Sequence, residues 1–201
     1  MTIEFRSRLK IAYWPLFFLI RIVPTRPAHA QIPYRFEAFG SLGAAKYDAS
    51  PDHKFNFGGG IGVRPFSRNV VLRGLGVEFQ TNLTSGQSNL ELPTRTSVTG
   101  DLLYQFSLRS VEPYVLIGTG FSSLGCYGLN EGCDRGARIR VGGFGVRIFF
   151  DRHVSFRPEF TVTEPLGRNP YFGGPGGAAN HLYRASFGIG YHWGGSTKTK
   201  R

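Results

Sequence analysis

An all-β fold is predicted, a single eight-stranded antiparallel up-and-down transmembrane β-barrel, and three observations predict it. Eight segments alternate apolar residues with polar or small ones, the two-residue period of a strand with one greasy face. The gaps between them alternate long and short, as outer loops and inner turns do in such barrels. Beyond the N-terminus no apolar run approaches the roughly twenty residues of a membrane helix. The composition agrees, with 28 Gly, 18 Phe and 9 Tyr in 201 residues. Mean hydropathy is slightly negative, because only alternate residues of a barrel strand meet lipid.

The first 30 residues read as a cleaved targeting signal. Arg6, Arg8 and Lys10 form a basic start, Ile11 to Ile20 an apolar core, and Ala28-His29-Ala30 a small-x-small cleavage site, so the mature chain would begin at Gln31. The organisation expected is signal 1–30, barrel 31–193 and basic tail 194–201. Removing Arg6, Arg8, Lys10, Arg21, Arg26 and Glu4 from the 24 basic and 13 acidic residues leaves a mature charge of +7. Those cations are scattered singly, without the runs that phosphate backbones require, which argues against nucleic acid. Anionic headgroups and lipopolysaccharide are the expected neighbours.

The first strand is expected over Tyr34–Gly43. In the second, Phe55–Arg64, Phe57, Ile61 and Val63 oppose Asn56, Gly58, Gly60, Gly62 and Arg64. In the third, Arg73–Leu83, Leu75, Val77, Phe79 and Leu83 oppose Gly74, Gly76, Glu78, Gln80 and Asn82. The fourth, Arg95–Phe106, turns Val98, Leu102, Tyr104 and Phe106 to lipid and Ser97, Thr99, Asp101 and Gln105 inward, beside an anomalous Leu103. The fifth follows Pro113 as Tyr114–Phe121. The sixth, Arg138–Phe149, has Ile139 and Val141 on one parity and Phe144, Val146 and Ile148 on the other, so a bulge is expected at Gly142-Gly143. The seventh, Val154–Thr163, sets Val154, Phe156, Phe160 and Val162 against Ser155, Arg157, Glu159, Thr161 and Thr163. Its Pro158 cannot donate a ladder bond, which counts against a regular interior strand there. The eighth, Tyr183–Trp193, is the cleanest, with Tyr183, Ala185, Phe187, Ile189, Tyr191 and Trp193 on one face.

Gaps 44–54, 84–94, 122–137 and 164–182 are the long ones, which puts both termini on the periplasmic side. The inner aromatic girdle then falls to Phe66, Tyr104, Phe106, Phe149, Phe150, Tyr191 and Trp193.

Glu112-Pro113-Tyr114-Val115 leading into Gly118-Thr119-Gly120, the repeated Gly-aromatic strands and the final Ser186-x-Gly188-x-x-Tyr191-x-Trp193 together resemble the outer-membrane β-barrel proteins of Gram-negative bacteria. The likeness is to the eight-stranded, OmpA-like and porin-like group, and it covers roughly residues 34–193. It implies the bacterial outer membrane as location. It also implies that Ser186, Gly188, Tyr191 and Trp193 form the last-strand signal read by the barrel-assembly machinery, here followed by Gly194–Arg201.

Glu78, Asp101, Arg138, Arg140, Arg157, Glu159 and Arg184 are expected in the lumen as a paired charge network, since an isolated buried charge is very costly. Inward glycines would make room for the arginines. Such a network plugs the barrel, and a narrow ion path is its rival. Cys126 and Cys133 are expected to close a loop disulfide worth about 2.5 kcal/mol in the chain-entropy model, as an exported chain permits. His153-x-Ser155, with Glu159 to orient the histidine, is the one pairing that suggests nucleophile chemistry, of the lipid-modifying kind found in some barrels of this size. It sits at an inner turn, and the expectation is a non-enzyme. His53, His181 and His192 are scattered and suggest no metal site, and no phosphate-cradling motif suggests a cofactor. A monomer with a structural or surface-interaction role is the reading, with the surface ligand left open.

Overall fold

The computed structural model describes residues 34–48, 53–65, 72–85, 95–106, 108, 110–124, 135–166 and 181–194. The signal 1–30, Phe66, Cys126, Cys133 and most of the tail lie outside them.

The described residues form eight strands that close into one antiparallel barrel, each paired with its sequence neighbours. They are β1 (Phe36–Tyr47), β2 (His53–Val63), β3 (Leu75–Thr84), β4 (Arg95–Gln105), β5 (Val111–Leu124), β6 (Arg135–Phe149), β7 (Val154–Pro165) and β8 (Leu182–Trp193), with a 3₁₀ turn at Leu72–Gly74. The seam between β1 and β8 runs from Phe36↔Trp193 to Tyr47↔Leu182. It leaves no sheet edge unpaired, the condition for backbone in hydrocarbon.

The predicted faces of the second, third, fourth, seventh and eighth strands are the observed ones. Phe57, Ile61, Phe79, Val98, Leu102, Phe187 and Ile189 are exposed on the outside, while Asn56, Glu78, Gln80, Asp101, Arg157 and Glu159 are buried inside. Outward aromatics gather at the barrel end where β1 begins and β4 and β8 end. The Phe36 and Trp193 rings stack at 5.8 Å, Tyr191 and Trp193 at 6.0 Å, and Tyr104 meets Phe106 edge-on at 5.1 Å.

Four expectations are corrected. The first connection, 48–52, is shorter than the second, 64–74, because β1 and β2 pair onward to Lys46↔His53. The predicted bulge at Gly142-Gly143 is absent. β6 keeps one register with β5 from Val111↔Ile148 to Leu124↔Arg135 and one with β7 from Ile139↔Pro165 to Phe149↔Ser155. A strand without a slip holds one parity throughout. Ile139 and Val141 are therefore buried inside, and Arg138 and Arg140 point out. Phe149 shares the inward parity and packs against Tyr34 and His192 rather than joining the girdle.

Pro158 is tolerated for a visible reason. Its pairing with Phe187 of β8 is intact. The ladder to β6 breaks between Gly145↔Glu159 and Ile148↔Phe156, then resumes in the same register. The missing N–H costs a local interruption on one side only. The β6–β7 turn is held by Asp151, whose carboxylate accepts the backbone N–H groups of His153 (2.6 Å) and Val154 (2.8 Å). Those two bonds hold its carboxyl below the usual aspartate range.

Candidate functional site: the barrel interior

Inward residues from seven strands meet in one charged cluster centred on Arg147 of β6 and Arg157 of β7. Arg147 has no exposed surface. Its Nε donates to Glu37 (3.1 Å), its Nη1 to Gln105 (2.9 Å), and its Nη2 pairs with Glu37 (2.8 Å) and with Glu78. Arg157 forks onto Glu78 with both terminal nitrogens, at 3.0 and 2.6 Å, and reaches Glu159 at 2.6 Å. Its Nε donates to the Tyr114 hydroxyl (2.7 Å), which donates to Glu159 (2.7 Å). Arg184 approaches the other oxygen of Glu159 at 3.4 Å. Beside this centre, Glu112 takes Arg64 (3.1 Å), Gln105 (3.0 Å) and Tyr34 (3.5 Å). Ring faces complete the packing, with the Arg147 guanidinium 4.4 Å from the Tyr114 centroid and that of Arg157 4.0 Å from Phe39.

The arrangement follows from register and residue size. Glu78 and Asp101 are direct cross-strand partners, an unfavourable pairing of like charges. Arg147 and Arg157, arriving across the lumen, neutralise Glu78, and the Thr99 hydroxyl donates to Asp101 at 3.0 Å. Gly145 makes space for the Tyr114 ring, whose hydroxyl and Cζ a Cβ there would strike. A Cβ at Gly190 would lie 2.9 Å from Glu37 and 3.0 Å from the Ser155 hydroxyl. The inward glycines thus admit Glu37, Phe39 and Tyr114 as much as the arginines. Next to the charges, Leu103, Tyr114, Leu116, Ile139 and Val141 form an apolar cluster. The anomalous Leu103 belongs to it.

Glu78, Arg157, Glu159 and Arg184 are paired as the sequence suggests, while Asp101 is buried beside Glu78 but forms no ion pair among the described residues. Arg138 and Arg140 are not, because β6 has no slip. Sequence reasoning missed Arg147, Glu37, Glu112, Arg64 as a network member, and Tyr114. Arg147 was signalled by the outward parity of Phe144, Val146 and Ile148. Glu37 carried no such signal, since the first strand alternates weakly.

The His153–Ser155 pairing is also corrected. His153 is exposed, its ring stacks on Tyr191 (5.7 Å), and its Nδ1 lies 2.8 Å from the His192 carbonyl. Ser155 is buried, and its hydroxyl lies 2.7 Å from Nε2 of His192, the histidine on the inward parity of β8. Tyr34 covers that imidazole at 4.1 Å and Phe149 at 4.9 Å. Glu159 does not orient it, and among the described residues Nδ1 of His192 has no hydrogen-bond partner. A nucleophile–base contact is thus present without a third group to hold the base, inside a packed wall.

Of the last-strand residues, Ser186 and Gly188 face inward and Tyr191 and Trp193 outward. No protein-family profile matches the chain, and no curated protein matches it. Solved structures do. The N-terminal β-barrel domain of OprF from Pseudomonas aeruginosa superposes with a TM-score of 0.55 at 12% identity, covering 78% of this chain and 97% of that one. Neisserial surface protein A superposes with a TM-score of 0.57 at 12% identity, covering 80% of this chain and 97% of that one. The fold is that of the eight-stranded outer-membrane barrels.

Proposed function

We propose that this chain is a monomeric barrel of the bacterial outer membrane with a structural or surface-interaction role, its lumen closed to solutes. The observation that carries the reading is the Arg147–Glu37–Glu78–Arg157 cluster together with the apolar cluster around Ile139. An eight-stranded barrel has an interior only just wide enough for side chains, and here bulky paired ones occupy it. Single-channel recording of the refolded protein in planar bilayers is expected to give no resolvable conductance. Stable unitary steps would overturn the closed lumen and favour the small-channel reading.

Outer-membrane lipids and lipopolysaccharide are its proposed neighbours and the barrel-assembly machinery its partner during insertion, both supported by the girdle at Phe36, Tyr191 and Trp193. The Ser155–His192 contact is read as structural. Ser155→Ala is expected to leave the lipid A mass spectrum of expressing cells unchanged, and a changed spectrum would make the chain an enzyme.

A further inference from the structure

Among the described residues β6 is the longest strand, at 15 residues, more than the roughly 9–11 that cross a bilayer. Its outward parity reads Arg138, Arg140, Gly142, Phe144, Val146, Ile148. The apolar part is confined to the half near the β6–β7 turn, and both arginines lie toward the end opposite the chain termini. A charged side chain on the lipid face is disfavoured at mid-bilayer and accepted near the headgroups. The two arginines therefore mark the headgroup level, where Phe121, the cross-strand partner of Arg138, is exposed beside them.

Their partners are arranged in a row. Register places Arg140 opposite Glu164 of β7, and a chain of contacts runs on to β1. Arg140 binds one oxygen of Glu164 while His181 lies 2.7 Å from the other, and the second nitrogen of His181 lies 2.7 Å from Asp48. The hydrogen bond to Asp48, and then that to Glu164, hold the His181 imidazolium above the usual histidine range. Glu164 is thus shared by two cations, one on each oxygen. Arg138 has no carboxylate partner among the described residues. Two guanidinium groups roughly 7 Å apart on one strand face, one without a carboxylate partner among the described residues and one in an exposed ion pair with Glu164, complement an anion that lies in the headgroup plane.

We propose that Arg138 and Arg140 form a binding site for the phosphate of an outer-leaflet lipid, lipid A, with Glu164 as a latch that holds Arg140 until phosphate replaces it. Arg is suited to this because its planar fork binds phosphate oxygens in pairs. The site deepens the lipid partnership proposed above and rests on the periplasmic placement of the termini.

The test is native mass spectrometry of the full barrel refolded with bisphosphorylated lipid A, dephosphorylated lipid A or phosphatidylglycerol, counting lipid retained per protein. Wild type is expected to retain bisphosphorylated lipid A at least tenfold better than the other two. Arg138→Ala/Arg140→Ala is expected to abolish that preference, and Glu164→Gln, which frees Arg140, to raise retention several-fold. Equal retention by the double variant, equal retention of dephosphorylated lipid A, equal retention of phosphatidylglycerol, or reduced retention by Glu164→Gln each overturns the site. The heat-modifiable gel band of the same samples reports the closed barrel, so failure of the site and failure of the barrel reading are separable.

Discussion

Arg147 is a formal charge placed where solvent cannot reach it, and its worth depends on Glu37, Glu78 and Gln105 all being within reach. Removing one partner of a buried pair leaves the others charged and undersolvated, a cost of about 3–5 kcal/mol. Arg147→Ala should therefore lower the unfolding free energy in lipid vesicles by about that amount. Arg140→Ala should cost under about 1 kcal/mol, as exposed pairs do, since the Arg140 side chain is 65% exposed. Equal effects of the two variants in urea titrations would show that the interior cluster is solvated and that closure has another cause. The same two arginines show what residue type alone conveys. Both sit in one strand seven positions apart, so opposite parity alone places one inside and the other out.

At the scale of the element, β6 and β7 carry the two features that made the sequence hardest to read. The apolar residues of β6 change parity across Gly142-Gly143, and a slip looked necessary because an apolar residue on an inward position is unusual in a charged lumen. Ile139 and Val141 instead join Leu103 and Leu116 as core. The proline of β7 looked disruptive and is locally so. The ladder it interrupts faces Val146 and Arg147, the positions opposite Pro158 and Arg157 in the register of the pair. Amide hydrogen exchange should be faster at Val146, whose N–H faces β7, than at Gly142 and Phe144, the other even positions facing β7, and Pro158→Ala should bring these positions level by restoring the donor. Uniform protection along β6 in the native protein would mean that the interruption has no energetic content.

At the scale of the whole molecule, the barrel was legible because its signal repeats. Eight segments each present an apolar face, and closure needs only an even count of strands and no free edge in hydrocarbon. Strand faces in β2, β3, β4, β7 and β8 followed from the period of two, since a side chain can point only to one side or the other of a sheet. Those facts were determined by the sequence itself, together with the inward placement of Glu78, Asp101, Arg157, Glu159 and Arg184. The partners of those charges were not. Arg147 meets Glu37 from 110 positions away and Glu78 from 69, distances at which no local pattern pairs one residue with another. The unbroken register of β6, the replacement of His153 by His192 beside Ser155, and the row from Arg140 to Asp48 likewise arise only when the sheet closes. Parity tells which wall a residue stands on. The curvature of the closed barrel decides which residue it faces.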